Sequence, residues 1–236
     1  MSETTDNIDL LDIVIPEQIF TNIPELLKYT LYINLDSRTD RLKHIQKEMD
    51  KMEIVGERIA AIQMRDGAVG CTLSHIKCLE TAKTNGWPHV FICEDDIFFL
   101  NPDLVKSNIE KFSANKNIYW DVLIIGGNNC PPYDRVEPYC IKVFNNQTTT
   151  GYIVKSHYYD TLIANFKESA YRLMKEPHNR RIYALDIYWK RLQQIGNWYM
   201  ITPPTVIQVE DYSNIEDRRV NYGKLMLDLD KKWLFR

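Results

Sequence analysis

Residues 89–103 read HVFICEDDIFFLNPD. The apolar, β-branched and aromatic run at its start predicts a buried strand, and three acids, Glu94, Asp95 and Asp96, interrupt it. An ionised carboxylate buried without a partner costs several kcal/mol, so a cation or an exposed strand end must accompany them. Side chains alternate along a strand, which puts Glu94 and Asp96 on one side and Asp95 on the other. Two carboxylates on one side of a strand end suit a hard cation, Mg²⁺ or Mn²⁺. The alternative is a solvated strand end whose acids cap the following helix.

On either side of this strand the pattern alternates. Residues 29–35 (YTLYINL) predict a strand, and residues 37–52 a helix opened by Ser37 with Asp40 three positions on. Residues 53–62 predict a second strand, and a helix runs from Thr72 to a stop at Gly86. Beyond the acids come a helix with Pro102 at its start and a strand in WDVLIIGG, residues 120–127. This alternation predicts an α/β fold, a mostly parallel sheet flanked by helices, which binds ligands outside the carboxyl ends of its strands. In the second half, TTTGYIVKSHYYDTLIANF predicts strand then helix, residues 180–196 one helix, and WYMITPPTVIQVE a strand broken by proline. The charged tail from Glu216 reads as peripheral, and residues 1–28 as an arm or linker ahead of one domain over residues 29–236.

A net charge of -3 over 236 residues argues against a nucleic-acid binder or a membrane-surface binder. The acidic, polar start has no basic-then-apolar leader and no segment is long enough to span a bilayer, so the expectation is a cytoplasmic chain without a membrane span. Five cysteines, an odd set without a CxxC pair, signal neither a disulfide framework nor a zinc site.

Two further clusters carry candidate chemistry. In INLDSRTDRL, Asn34 and Asp36 suit contacts to a ribose or base edge, and Arg38 and Arg41 suit a diphosphate at a helix start; a solvated charged face is the plainer reading of the arginines. In DGAVGCTLSHIKCLE, Asp66-Gly67 and Gly70 predict a tight loop running into a helix that carries Ser74, His75 and Lys77. By residue type alone His75 is a core histidine. Neither a P-loop nor a GxGxxG fingerprint is present.

Taken in order, YINLDSRTDRL, DGAVGCTLSHIKCLE, VFICEDDI, WDVLIIGG, TTTGYIVKSHYYDTL, LDIYW and IQVEDYSNI resemble glycosyltransferase family 25, the lipooligosaccharide and procollagen galactosyltransferases. The resemblance covers roughly residues 29–215. It implies a GT-A type fold, a UDP-sugar donor, a Mn²⁺ (or Mg²⁺) ion, and transfer with inversion to a glycan or collagen-like hydroxylysine acceptor. By position it makes Glu94, Asp95 and Asp96 the DxD-type motif, with Glu94 and Asp96 on the metal. It sets Asn34, Asp36, Arg38, Arg41, Ser74, His75, Lys77 and Asp95 around the nucleotide, and matches Asp186 of LDIYW to the acid of a second-half motif, a candidate base. Against that role, Asp186 reads as a helix acid paired with Lys190 at i+4. Tyr188 and Trp189 beside it are candidates to stack on an acceptor.

Two departures from the family pattern bear on the metal. Ser213-Asn214-Ile215 replaces Ser-Asp-Ile, and no histidine follows His178, which leaves Gln208, Glu210 or Asp211 as the late ligand. Competing readings are a metal-dependent phosphoryl or nucleotidyl transfer enzyme and a catalytically weak transferase-like binding domain.

Overall fold

A computed structural model describes residues 23–213 and 218–235. In chain order the strands are β1 (Thr30–Asn34), β2 (Gly56–Ala60), β3 (His89–Glu94), β4 (Ile97–Phe99), β5 (Val122–Asn129), β6 (Tyr133–Glu137), β7 (Cys140–Val143), β8 (Asn146–Lys155), β9 (Trp198–Ile201), β10 (Val206–Gln208), β11 (Asp211–Ser213) and β12 (Arg218–Val220). The helices are α1 (Thr39–Met52), α2 (Gly67–Thr84), α3 (Pro102–Ala114), α4 (Tyr159–Lys175), α5 (Arg180–Tyr183), α6 (Leu185–Tyr188), α7 (Lys190–Gln193) and α8 (Gly223–Leu227).

The main sheet has the order β2-β1-β3-β8-β5-β9-β7-β6. The pairings β1–β2, β1–β3 and β5–β9 are parallel, while β8 runs against both its neighbours and β7 against β9 and β6. The sheet is therefore mixed, with most strands running one way, and helices cover both faces. Strand periodicity builds both cores. Val90, Ile92, Val122, Ile124, Tyr152 and Val154 face one side, where Leu79 of α2 and Phe166 of α4 pack on them. Phe91, Cys93, Leu123, Ile125 and Ile153 face the other, against Ile45 and Met49 of α1 and Ile109 and Phe112 of α3.

Several sequence expectations are corrected. α1 is not opened by Ser37: Arg38 holds the capping position and makes no side-chain cap bond. α2 begins at Gly67, five residues before Thr72, because Asp66 accepts the Ala68 N–H at 2.9 Å and caps it there. The glycines read as a loop are thus helical. Gly70 is small for a packing reason: a Cβ there would lie 2.4 Å from the Ile62 carbonyl oxygen. The single helix expected over residues 180–196 is three short ones, broken at Ala184, whose ψ of 142° leaves the helical region. The tail is not wholly peripheral, since α8 buries Met226, and Lys231 Nζ donates to the carbonyl of Asn129. Among the described residues no helix is long and apolar enough to cross a membrane.

Candidate active site

The topology brings four segments to one end of the sheet. Parallel pairing of β1 with β3 sets Ile33 opposite Glu94, so Asn34 and the acids leave the sheet together. β3 ends at Glu94, and Asp95 and Asp96 form the turn into β4 rather than continuing the strand. Antiparallel β8 starts at this end, because its Gly151 pairs with Cys93, and delivers Thr149 and Thr148. β10 pairs with β4, and Val209 N–H donates to the Asp96 carbonyl at 2.8 Å, which presents Gln208.

Each acid has its own partners. Glu94 Oε1 accepts from Thr149 Oγ1 at 2.5 Å and lies 3.4 Å from His75 Nε2, and its Oε2 accepts from Gln208 Nε2 at 3.3 Å. Asp95 accepts from Asn34 Nδ2 at 2.7 Å and Arg41 Nη1 at 3.0 Å. Asp96 accepts from Arg41 Nη1 at 3.2 Å and, weakly, from Gln208 at 3.5 Å. Gln208 thus bridges Glu94 and Asp96, while Asn34 holds Asp95 on the other side. Asp211 of β11 closes the cluster, accepting from Arg41 Nε at 3.0 Å and from Arg38.

Among the described residues, four carboxylates, Glu94, Asp95, Asp96 and Asp211, gather around the guanidiniums of Arg38 and Arg41, with Arg38 also paired to Asp40. Burial, then the neighbouring Glu94 charge, push the Asp96 carboxyl up to about 7, with Arg41 opposing. Burial also raises Asp95. Burial would raise Glu94 too, yet the hydrogen bonds from His75 and Thr149 bring it below the usual carboxylate range. Burial acts to lower the Arg41 guanidinium, but Asp96 and Asp95 raise it, which keeps it charged. The surplus of buried oxygen ligands fits a hard divalent cation held by Glu94 and Asp96, with Gln208 as the late neighbour. Glu210 is not turned to the acids; it accepts from Asn221 at 2.8 Å.

The other candidate residues divide by environment. Arg38 donates to Asp40, at 2.8 Å from Nη2, and to Asp211, so both arginines are engaged with acids. Asp36 is exposed and pairs with Arg58, which also donates to Asn34 Oδ1 at 3.0 Å. Ser74 is fully buried; its hydroxyl accepts the Ile62 N–H at 2.8 Å and donates to the Gly70 carbonyl at 2.7 Å, tying α2 to the chain after β2. Lys77 is exposed and reaches the Ala60 carbonyl at 3.3 Å. His75 is fully buried, with Nδ1 3.0 Å from the Tyr152 hydroxyl and Nε2 toward Glu94.

Asp186 lies on α6, where its Oδ2 accepts the Thr148 N–H at 3.0 Å. Thr148 has φ 67°, a left-handed conformation uncommon for a β-branched residue, and this aims its N–H at the carboxylate. Burial raises Asp186, the Glu94 charge raises it further, and the Thr148 hydrogen bond opposes both. Lys190 donates to Gln147 Oε1 at 2.8 Å, so the i+4 pairing expected with Asp186 gives way to a bond across to β8. Trp189 is fully buried, donates to the Asn146 carbonyl at 2.9 Å and belongs to the core, which removes it as a stacking platform. Sequence alone does not mark Thr149, Arg58 or Tyr152 as site residues; Thr149 has its place in TTTGY and no other signal. Asn214 and Ile215 lie outside the described residues.

Fold and site together define a mixed α/β protein with an acid cluster at the carboxyl ends of β1 and β3. Residues 63–177, just under half of the chain, match the model of glycosyltransferase family 25 (LPS biosynthesis protein). No curated protein matches the sequence. Among solved structures, A197 from STIV is 12% identical, with 81% of this chain and 93% of that one covered and a TM-score of 0.49. A glycosyltransferase involved in glycosylation of the PBCV-1 major capsid is 9% identical, with 80% and 95% covered and a TM-score of 0.49. A Drosophila β-1,4-galactosyltransferase 7 mutant, in complex with manganese, UDP-Gal and xylobiose, is 10% identical, with 88% and 79% covered and a TM-score of 0.36.

Proposed function

We propose that this protein transfers a hexose from a UDP-sugar to an acceptor hydroxyl, with inversion and with a divalent cation, Mn²⁺ or Mg²⁺, held by Glu94 and Asp96. The observation that carries the reading is the cluster of buried acids at the carboxyl ends of β1 and β3, with Asp186 joined to it through the adjacent Thr148 and Thr149, which bond Asp186 and Glu94. When bound, the cation supplies neutralisation of the diphosphate leaving group. Arg38 and Arg41, at the start of α1, add positive charge beside it, and Asn34 fixes Asp95 so that Arg41 stays in place. Asp186, raised by burial, takes the acceptor hydroxyl's proton as that oxygen attacks the anomeric carbon and the carbon–diphosphate bond breaks. Galactose is the favoured sugar, ahead of glucose and N-acetylglucosamine. The acceptor is a glycan, as the family's description in LPS biosynthesis suggests, or a collagen-like hydroxylysine.

One observation favours a second reading. Arg41 already bridges Asp95 and Asp96, as in a self-neutralised structural cluster of a non-catalytic binding domain. Donor hydrolysis separates the two. The protein is incubated with Mn²⁺ and UDP-galactose, UDP-glucose or UDP-N-acetylglucosamine, and released UDP is quantified, with Asp96→Ala alongside. Release from one donor that requires both metal and Asp96 supports transfer and names the sugar. No release, together with no metal-dependent UDP binding, selects the second reading.

A further inference from the structure

We infer that Cys71, His75 and Glu94 form a site for a soft divalent cation of the Zn²⁺ class, separate from the all-oxygen site and sharing Glu94 with it. Cys71 and His75 stand four residues apart on α2, so their side chains leave the same helical face. The ligand atoms of the three residues lie within 4.8 Å of one another. His75 Nε2 and Glu94 Oε1 are 3.4 Å apart, matching the edge of about 3.4 Å in a tetrahedron whose metal–ligand arms are about 2.0–2.1 Å. A thiolate at about 2.3 Å from the same ion would sit about 3.6 Å from the nitrogen, within reach of a rotation of the Cys71 side chain.

The histidine is oriented as a ligand. Its Nδ1 meets the Tyr152 hydroxyl at 3.0 Å, its ring stacks on Tyr152 and meets Phe166 edge-on, and Nε2 is left facing Glu94. Such an outer hydrogen bond fixes ring orientation in metal-binding histidines. His75 is fully buried while Cys71 and Glu94 are partly exposed, so an ion enters from the acid cluster and keeps a fourth position for water.

Donor chemistry sets the metal. Sulfur and imidazole favour Zn²⁺ over Mg²⁺ or Mn²⁺, whereas Glu94 and Asp96 offer only oxygen. Binding displaces the Cys71 thiol proton to solvent and takes the His75 tautomer with its proton on Nδ1, donated to the Tyr152 hydroxyl, so that Nε2 offers its lone pair. Glu94 would then present Oε1 to the soft ion and Oε2, now beside Gln208, to the hard one, so occupation of one site draws charge from the other.

The test titrates the full chain with Co²⁺, a spectroscopic substitute for Zn²⁺, and follows thiolate-to-cobalt charge-transfer absorption. The expected result is a saturable band that Zn²⁺ abolishes, that Cys71→Ser lacks and that Cys130→Ser keeps. In Cys71→Ser the Zn²⁺ affinity should be weaker by about 100-fold or more, since loss of an outer-shell partner alone costs about 10–100-fold. In the wild-type chain, Zn²⁺ should also shield Cys71 from alkylation, mapped by mass spectrometry, an arm that needs no variant to fold. No band, a band that survives Cys71→Ser, or a Cys71 that Zn²⁺ leaves reactive overturns the inference. None of these readouts depends on sugar transfer.

Discussion

Cation binding at Glu94 and Asp96 should weaken steeply below neutral pH. Burial and the Glu94 charge raise the Asp96 carboxyl to about 7, so in the metal-free protein this group carries a proton at pH 6 and loses it by pH 8. A cation binds the carboxylate, and each bound ion must therefore displace one proton below pH 7. The apparent association constant then scales as 1/(1 + 10^(7−pH)). Relative to its plateau above pH 8 it falls about tenfold at pH 6 and about 100-fold at pH 5, where an aspartate with an ordinary pKa near 3.9 would lose less than about 10%. Calorimetric titration of Mn²⁺ at pH 5, 6, 7 and 8, in buffers of different ionisation enthalpy, measures both the affinity and the proton released. Asp96→Asn should remove the affinity and the proton release together. Because the folded-state carboxyl is raised, its ionisation costs stability as pH rises through 7; Asp96→Asn should thus gain in melting temperature over the metal-free wild type between pH 5 and pH 8. Mn²⁺ affinity that stays constant from pH 8 to pH 5, with no proton released, would refute the electrostatic account of the cluster.

Three further outcomes follow from single contacts. Asp186→Asn should cut transfer by about 10²–10⁴-fold, the usual worth of a general base, while Mn²⁺-dependent UDP binding measured by calorimetry stays within about twofold. Gly70→Ala should destabilise the fold in urea denaturation, although alanine is favoured in helices by about 1 kcal/mol, because the new methyl lies 2.4 Å from the Ile62 carbonyl; a stabilised variant would mean that this contact relaxes freely. Trp189→Ala should cost about 3–5 kcal/mol by the same measurement, since the ring is fully buried against Tyr152 and Trp198 and its N–H satisfies the Asn146 carbonyl.

Local pattern carried the sequence reading where structure is local, and failed where it is not. HVFICE announces a buried strand because Val90 and Ile92 serve one core while Phe91 and Cys93 serve the other, so every position is apolar. Nothing in TTTGYIVK reports that β8 runs antiparallel between β3 and β5, since that placement depends on pairing partners remote in sequence. Gly67 and Gly70 read as a loop by propensity, yet the Asp66 cap and the close approach of α2 to Ile62 put them in a helix. In the candidate site the acids are legible because charges closing an apolar run need an explanation. Thr149 and Arg58 are not, because only the assembled sheet brings them to Glu94 and Asn34. Ser74, legible as a polar residue in a motif, spends its hydroxyl on two backbone groups.

The central claim is that Glu94 and Asp96 hold a divalent cation against the diphosphate of a UDP-sugar. Anomalous diffraction from crystals grown with Mn²⁺ and UDP tests it most directly. The account predicts one manganese peak within bonding distance of the Asp96 and Glu94 carboxylates and of a diphosphate oxygen, with Arg41 still on Asp95. UDP bound elsewhere, or bound here with no manganese at these acids, would contradict it.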